Sequence, residues 1–228
     1  MTSLTLVATD LDHTFLGADQ RPSELNTHSV FAAAEHGAAV VFATGRPLRW
    51  LDLLEVFTDV NPTVIASNGA VTYDLRNHRV ISDTPFPIDV ITDVVNDIAS
   101  ELPEAKFSLE EAQRCCVEPG FDRVDHGRPV THQGPIREFL TPDSRPVKML
   151  VRTFGIPTEE LFEIVDGLVD GRVSTTFSVQ LDDGLVELAP IGVSKGAALS
   201  ATAEQLGVDL ADACLLYTSP SPRDLSTS

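Results

Sequence analysis

Basic residues are scarce in this 228-residue chain: 16 Lys and Arg stand against 34 Asp and Glu, a formal net charge of −18 with His neutral. Such an excess repels nucleic-acid phosphates and anionic membrane surfaces, so no nucleic acid and no membrane is expected as a partner. It also requires any anion site to assemble its own positive field locally. Cysteine is nearly absent. Cys115, Cys116 and Cys214 offer no disulfide framework, since adjacent cysteines rarely bridge, and no His or Cys stands at metal-ligand spacing to them, which argues against zinc. They read as reduced thiols of a cytoplasmic protein. No apolar run approaches the length of a membrane span, no internal repeat is visible, and Met1-Thr2-Ser3 leads straight into an apolar run rather than a secretory signal. The remainder is ordinary. A hydrophobic content of 43% supports a sizeable core, in a length that suits one core domain and a smaller insertion.

Against that background the informative residues stand at the ends of apolar runs. Leu4-Thr5-Leu6-Val7-Ala8-Thr9 reads as a buried strand and ends in Asp10-Leu11-Asp12-His13-Thr14. In open α/β sheets ligands bind at the carboxyl ends of strands. There a carboxylate can attack phosphorus, and two together can hold a hard cation. Asp-x-Asp also occurs in glycosyltransferases, calcium loops and plain acidic turns. A second buried run, Ala38 to Ala43, ends in Thr44-Gly45-Arg46-Pro47. A hydroxyl followed by Gly suits an oxyanion, because Gly lets backbone N–H groups approach closely. It equally suits a turn in which Thr caps a helix that begins with Pro. A third run, Thr63 to Ala66, ends in Ser67-Asn68-Gly69-Ala70. Asn-Gly by itself is tight-turn chemistry, with Val71 to Tyr73 and Arg79 to Ile81 as the strands that it, or Arg76-Asn77, would join. Finally, Val193-Ser194-Lys195-Gly196 opens an amphipathic segment running to Leu206. Lys at a helix N-terminus opposes the dipole, so its ammonium answers either an anion or only the solvent.

Together these four motifs resemble the haloacid dehalogenase superfamily, and closely its Cof-type phosphatases, over residues 4 to about 213. The resemblance implies that Asp10 is the nucleophile that takes the phosphoryl group and that Asp12 is the general acid and then base. Thr44 would hydrogen-bond the phosphoryl group, and Lys195 would neutralise charge on it and on Asp10. Gly45, Arg46, Asn68 and Gly69 are the substrate-binding candidates. Magnesium would be bound by Asp10 and by the backbone carbonyl of Asp12. The physics agrees: phosphoryl transfer needs positioning and charge neutralisation, and magnesium accepts a carboxylate, phosphate oxygens and waters.

Two positions depart from the family pattern. His13 stands where Gly is usual, and the acidic loop expected downstream of the motif lysine, Gly-Asp followed by Asn-Asp, is absent from Leu215 to Asp224. From Tyr217 the chain is rich in Ser, Thr and Pro and poor in apolar residues, which cannot support a core. Residues 215–228 read as translated adapter or vector sequence, with a natural disordered tail as the alternative. Without a strand after the lysine helix, Leu4 to Thr9 would be an exposed sheet edge, unless part of Ala213 to Tyr217 patches it. The expectation is a poorly soluble, nearly inactive chain.

The expected architecture is α/β: a Rossmann-like parallel sheet core with an inserted α+β cap. Core segments are placed at 1–84 and 187–214, and the cap at 85–186. Core helices are predicted at Pro22 to His36, with apolar Leu25, Val30 and Phe31, and at Pro47 to Phe57. In the cap, helices are predicted at Ile88 to Leu102 and Pro157 to Val169, and strands at Lys148 to Arg152, Arg172 to Phe177 and Leu185 to Leu188. The stretch Pro119 to Arg145 reads as loop. Cap contacts to substrate would come from Arg123, His126 and Arg128, and Glu187 has either a salt-bridge or a substrate role. The expected partner is a small phosphorylated metabolite, a sugar phosphate by family analogy, bound by a monomer or homodimer. Phosphomutase or phosphotransferase chemistry, and non-catalytic phosphate binding, are the rival readings. A receiver domain would lack the insertion, and a nucleotide-sugar transferase would need a base-binding fold before its Asp-x-Asp.

Overall fold

Apolar runs without polar interruption are the mark of strands buried on both faces, and three such runs are adjacent parallel strands in the computed structural model. The structure describes residues 4–121 and 130–216. In chain order its elements are β1 (Leu6–Asp10), α1 (Glu24–Glu35), β2 (Ala39–Ala43), β3 (Thr63–Ala66), β4 (Val71–Asp74), β5 (Arg79–Asp83), α2 (Ile88–Glu101), β6 (Lys106–Glu110), β7 (Cys115–Val117), β8 (His132–Gln133), β9 (Lys148–Arg152), α3 (Thr158–Val169), β10 (Ser174–Thr176), β11 (Leu185–Ala189), α4 (Lys195–Leu206) and β12 (Ala213–Leu216). They fall into two compact units. Among the described residues the first takes 4–46, 50–82 and 194–216, and the second 47–49, 83–121 and 130–193.

The first unit is built on a sheet of order β12-β1-β2-β3-β4-β5. β12, β1, β2 and β3 run parallel, and β4 is antiparallel to β3. One face packs Leu6, Ala8, Val41, Ala43 and Ile65 against Ala198, Leu199 and Ala203 of α4. An aromatic cluster gathers Phe42, Phe15, Phe57 and Phe31, with ring centroids 5.1–5.8 Å apart. Rings at such separations add to the free energy of burial. Leu25 of α1 is turned to solvent; Val30 is the buried residue of that helix.

Three sequence expectations are corrected in this unit. β1 is not an edge: β12 pairs with it in parallel, Leu6 opposite Ala213 through Thr9 opposite Leu216, so the patching strand forms. The segment after Pro47 is not an α-helix but two 3₁₀ runs, Leu48–Trp50 and Asp52–Val60. Its buried residues are Leu51, Leu54 and Phe57; a spacing of three matches the three residues per turn of that helix. Third, Ser67 to Ala70 turns β3 into β4, while Leu75 to His78 connects β4 to β5, so both candidate turns are used.

The second unit has a sheet of order β10-β11-β9-β6-β7-β8. Its pairs are antiparallel apart from the short parallel pair β7–β8. α2 buries Ile91, Val94, Val95 and Ile98, and α3 buries Leu161, Val165 and Val169, against Phe107, Leu109, Met149, Val151, Val186 and Leu188. β6 alternates polar and apolar residues, Lys106-Phe107-Ser108-Leu109-Glu110, as a half-buried strand does, yet its polar Ser108 and Glu110 are buried too. Glu110 is held by Arg49 at 2.7 Å, and Lys148 by Glu187 at 2.5 Å. Buried charges of this kind persist only when paired. Glu187 therefore has the salt bridge among its two expected roles. Because β11 pairs through Ala189, the second unit extends to Val193 rather than ending at 186. Arg123, His126 and Arg128 lie outside the described residues, as does the tail from residue 217. Among the described residues no helix is long and apolar enough to cross a membrane.

Candidate functional site

Asp10, Asp12, Thr44, Gly45, Arg46, Asn68, Gly69 and Lys195 all belong to the first unit, at the carboxyl ends of its parallel strands or at the start of α4. Asp10 is the last residue of β1 and is 2% exposed. A carboxylate so buried needs a partner, and Lys195 Nζ donates to its Oδ1 at 2.7 Å across 185 residues of sequence. Lys195 opens α4, where the Ser194 hydroxyl caps the helix by accepting from the Ala197 N–H at 3.0 Å. The misfit of a lysine at a helix N-terminus thus has its answer in Asp10.

After Asp10 the chain makes one wide turn over Leu11–Phe15, closed by the Leu16 N–H on the Leu11 carbonyl at 2.9 Å. Such five-residue closures occur frequently at functional sites. The turn requires φ of +60° at His13, a left-handed position that glycine occupies without strain. That explains the family's glycine there. His is among the side chains that tolerate the conformation, and His13 points its exposed side chain to the surface.

Asp12 lies two residues beyond Asp10 and is engaged by Arg46. Arg46 Nε donates to both carboxylate oxygens at 3.1 Å, and Nη2 donates to Oδ1 at 2.5 Å. Arg46 Nη2 also donates to Gln20 Oε1. Residue typing proposed Arg46 as a substrate contact; the geometry adds this ion pair. Gln20 carried no sequence signal at all, because its role depends on a surface turn meeting the end of β2.

Thr44, fully buried, follows β2, and its hydroxyl accepts from the Arg46 N–H at 3.1 Å, leaving the hydroxyl proton to be donated elsewhere. The turn after β3 is latched to it: Asn68 N–H donates to the Thr44 carbonyl at 3.0 Å, and Ser67 N–H to the Arg46 carbonyl at 2.9 Å. Ser67, Asn68 and Gly69 have φ of +50°, +57° and +107° in succession. Runs of strained backbone of this kind cluster at functional sites. A Cβ on Gly69 would lie 2.3 Å from the Ser194 carbonyl oxygen, so only glycine lets this turn meet the start of α4. Gly45 stands beside the Asn68 amide.

The buried cysteines take no part: burial pushes the Cys116 thiol up, away from the thiolate a nucleophile requires. A cavity of about 300 Å³ lies at the opposite ends of β2 and β3, lined by Gly37, Ala39, Asn61 and Thr63 among others, and holds no titratable group. As to a metal, among the described residues no group of three His, Cys, Asp or Glu could hold one. Magnesium does not demand such a cage, since it commonly takes one or two protein carboxylates with phosphate oxygens and water. The buried Asp10 carboxylate and the nearby Asp12 backbone carbonyl are hard oxygen donors of that type, so the residues fit it.

The chain is similar to known proteins in sequence and in fold. A family model described as haloacid dehalogenase-like hydrolase matches residues 7–215. YxeH of Bacillus subtilis, whose phosphatase name is provisional, is 32% identical over 101 residues; the match covers 42% of this chain and 37% of YxeH. The chain therefore matches little more than a third of the length of that relative. Among solved structures, TM0651 from Thermotoga maritima superposes with a TM-score of 0.76 at 22% identity, covering 92% of this chain and 78% of its own. The subclass IIB sugar phosphatase BT4131 gives 0.75 at 16% identity, covering 92% and 79%. At these identities the structural likeness is one of fold.

Proposed function

Because the chain belongs to the haloacid dehalogenase-like hydrolase family, we propose that it is a magnesium-dependent phosphomonoester hydrolase that works through a phosphorylated Asp10. The observation that carries this reading is the Asp10–Lys195 ion pair at 2.7 Å. The pair sets a carboxylate and an ammonium at one strand end, with Thr44 at the end of the neighbouring strand, and these are the groups the reading needs.

In the first half-reaction the Asp10 carboxylate attacks phosphorus, and the bond from phosphorus to the ester oxygen breaks. Asp12 in its acid form gives its proton to that departing oxygen. In the second, Asp12, now a carboxylate, takes a proton from water as the water oxygen attacks phosphorus. The bond to Asp10 breaks and inorganic phosphate leaves. Lys195 and the Thr44 hydroxyl face the negative charge that the phosphoryl oxygens carry through both steps. Asp10 and the Asp12 carbonyl would hold the cation. When bound, magnesium supplies Lewis-acid neutralisation of phosphate charge, and phosphatases of this superfamily generally use it.

For the substrate we favour a small phosphorylated metabolite, a sugar phosphate first. Its support is the fold shared with a sugar phosphatase. Release of inorganic phosphate from p-nitrophenyl phosphate and from a sugar-phosphate panel, by this chain and by a version extended with the family's acidic loop, tests the reading, and no release by either would overturn it. Chelation of divalent cations is expected to silence turnover and added magnesium to restore it; turnover unchanged in excess chelator would remove magnesium from the scheme. Residues 215–224 lack the family's acidic loop, so fewer protein oxygens would hold the cation and weaker magnesium binding is expected. Asp12→Asn is expected to slow turnover by ~10²–10⁴-fold, the usual range for a general acid–base group. It should also leave acid-stable radiolabel on the protein after incubation with ³²P-labelled substrate. Normal turnover in that variant would remove Asp12 from the mechanism.

A further inference from the structure

Gln20 has no place in the chemistry just described, yet it is built into it. It is an exposed residue with φ of +61°, an unusual backbone for a side chain other than Gly, Asn, Asp or His. The surrounding turn holds it there. Gly17 N–H donates to the Arg21 carbonyl at 2.9 Å, Gln20 N–H to the Gly17 carbonyl at 3.0 Å, and Leu16 bridges Pro22. Asn26 of α1 anchors the base of the turn by donating from Nδ2 to the Phe15 carbonyl at 2.7 Å. The result is that the Gln20 amide oxygen meets Arg46 Nη2, the same nitrogen that donates to Asp12 Oδ1.

Arg46 is 13% exposed in its side chain and Asp12 36%. A half-exposed carboxylate held by only one flexible partner would sample several rotamers, because each side chain keeps its own torsional freedom. A planar guanidinium removes that freedom only if it is itself fixed. Two contacts fix it: the bidentate grip on Asp12 at one edge and Gln20 at Nη2. We infer that Gln20 is a positioning residue for the proton transfer, acting through Arg46 to hold the Asp12 carboxyl in one orientation. The inference rests on the hydrolase reading above, since it gives Asp12 a proton to move. The strained backbone at Gln20 is the local cost of that placement, which is the direction in which strain supports a functional argument.

The test uses the leaving group. An alkyl oxygen, as in a sugar phosphate, must receive a proton to depart, whereas p-nitrophenolate departs without one. Single-turnover rates on both esters, with the full chain in excess, give an alkyl-to-aryl ratio that a merely structural weakening would not move. Gln20→Ala is expected to lower the alkyl rate about ten times more than the aryl rate. Gln20→Gly should do the same, and because glycine relieves the positive φ, a loss common to both variants reports the amide and not the turn. Asp12→Asn should shift the ratio further, and adding Gln20→Ala to it should change nothing more, as expected for residues acting on one step. If Asp12→Asn shifts the ratio and both Gln20 variants leave it at the parent value, the inference fails and the hydrolase reading stands. Cleavage of neither ester, by the parent chain or by its extended version, overturns both.

Discussion

Asp10→Asn should reduce phosphate release at least ~10⁴-fold, the scale on which removal of a covalent nucleophile is felt, while the protein stays folded. The substitution is isosteric and preserves an oxygen for Lys195, whose Nζ lies 2.7 Å from Asp10 Oδ1. What it removes is charge. A neutral amide does not attack phosphorus, and the ammonium loses the anion that accounts for a lysine at the first position of α4. Phosphate release and thermal unfolding measured on the same preparation check the claim together. Turnover near the parent's with an unchanged melting curve would mean that another group is the nucleophile.

The second large effect is expected at Gly69, and it begins as one of stability. A Cβ built there falls 2.3 Å from the Ser194 carbonyl oxygen, 2.5 Å from its carbon and 3.0 Å from the Lys195 nitrogen, all backbone, at a φ of +107°. No rotamer change relieves such a clash. Either the Ser67–Gly69 turn or the first turn of α4 must retreat, and the second option carries Lys195 away from Asp10. Gly69→Ala should therefore cost ~3 kcal/mol or more in unfolding free energy, combining backbone strain with displaced packing, and most of the activity with it. Two other glycines calibrate the result. At Gly45 the Cβ would be 2.8 Å from Asn68 Oδ1, a side-chain atom that can swing aside. At Gly37, with φ of +84°, nothing lies within 4 Å, so only conformational strain of about 1 kcal/mol remains. Urea unfolding of the three alanine variants should rank Gly69 well above the others; a Gly69→Ala protein as stable as Gly37→Ala would show that α4 is not seated on that turn.

Much of this was legible because strand-end chemistry in a parallel sheet is written locally. β1, β2 and β3 follow from uninterrupted apolar runs, and Asp10, Thr44 and Ser67 follow those runs directly in sequence. α2 and α3 were legible for the same reason, since Ile91, Val94, Val95 and Ile98 mark one face at helical spacing. The failures share a different cause. At 106–110 the alternation Lys-Phe-Ser-Leu-Glu signals one buried face, whereas Ser108 and Glu110 on the other face are buried as well. Glu110 is tolerated there because Arg49, 61 residues away in sequence, pairs with it. After Pro47, the three-residue spacing of Leu51, Leu54 and Phe57 lies close to the α-helical period but folds as 3₁₀ turns.

Local sequence therefore determined the chemistry available to this protein: which carboxylates, hydroxyl and ammonium stand where strands end and a helix begins. Tertiary structure decided their relations. It brought Lys195 onto Asp10, set β12 beside β1, and packed Gly69 against Ser194. It also coupled Gln20 and Arg46 to Asp12. The reason is physical: propensity and hydropathy act over a few residues, whereas an ion pair or a backbone clash depends on distance in space, which only the folded sheet sets.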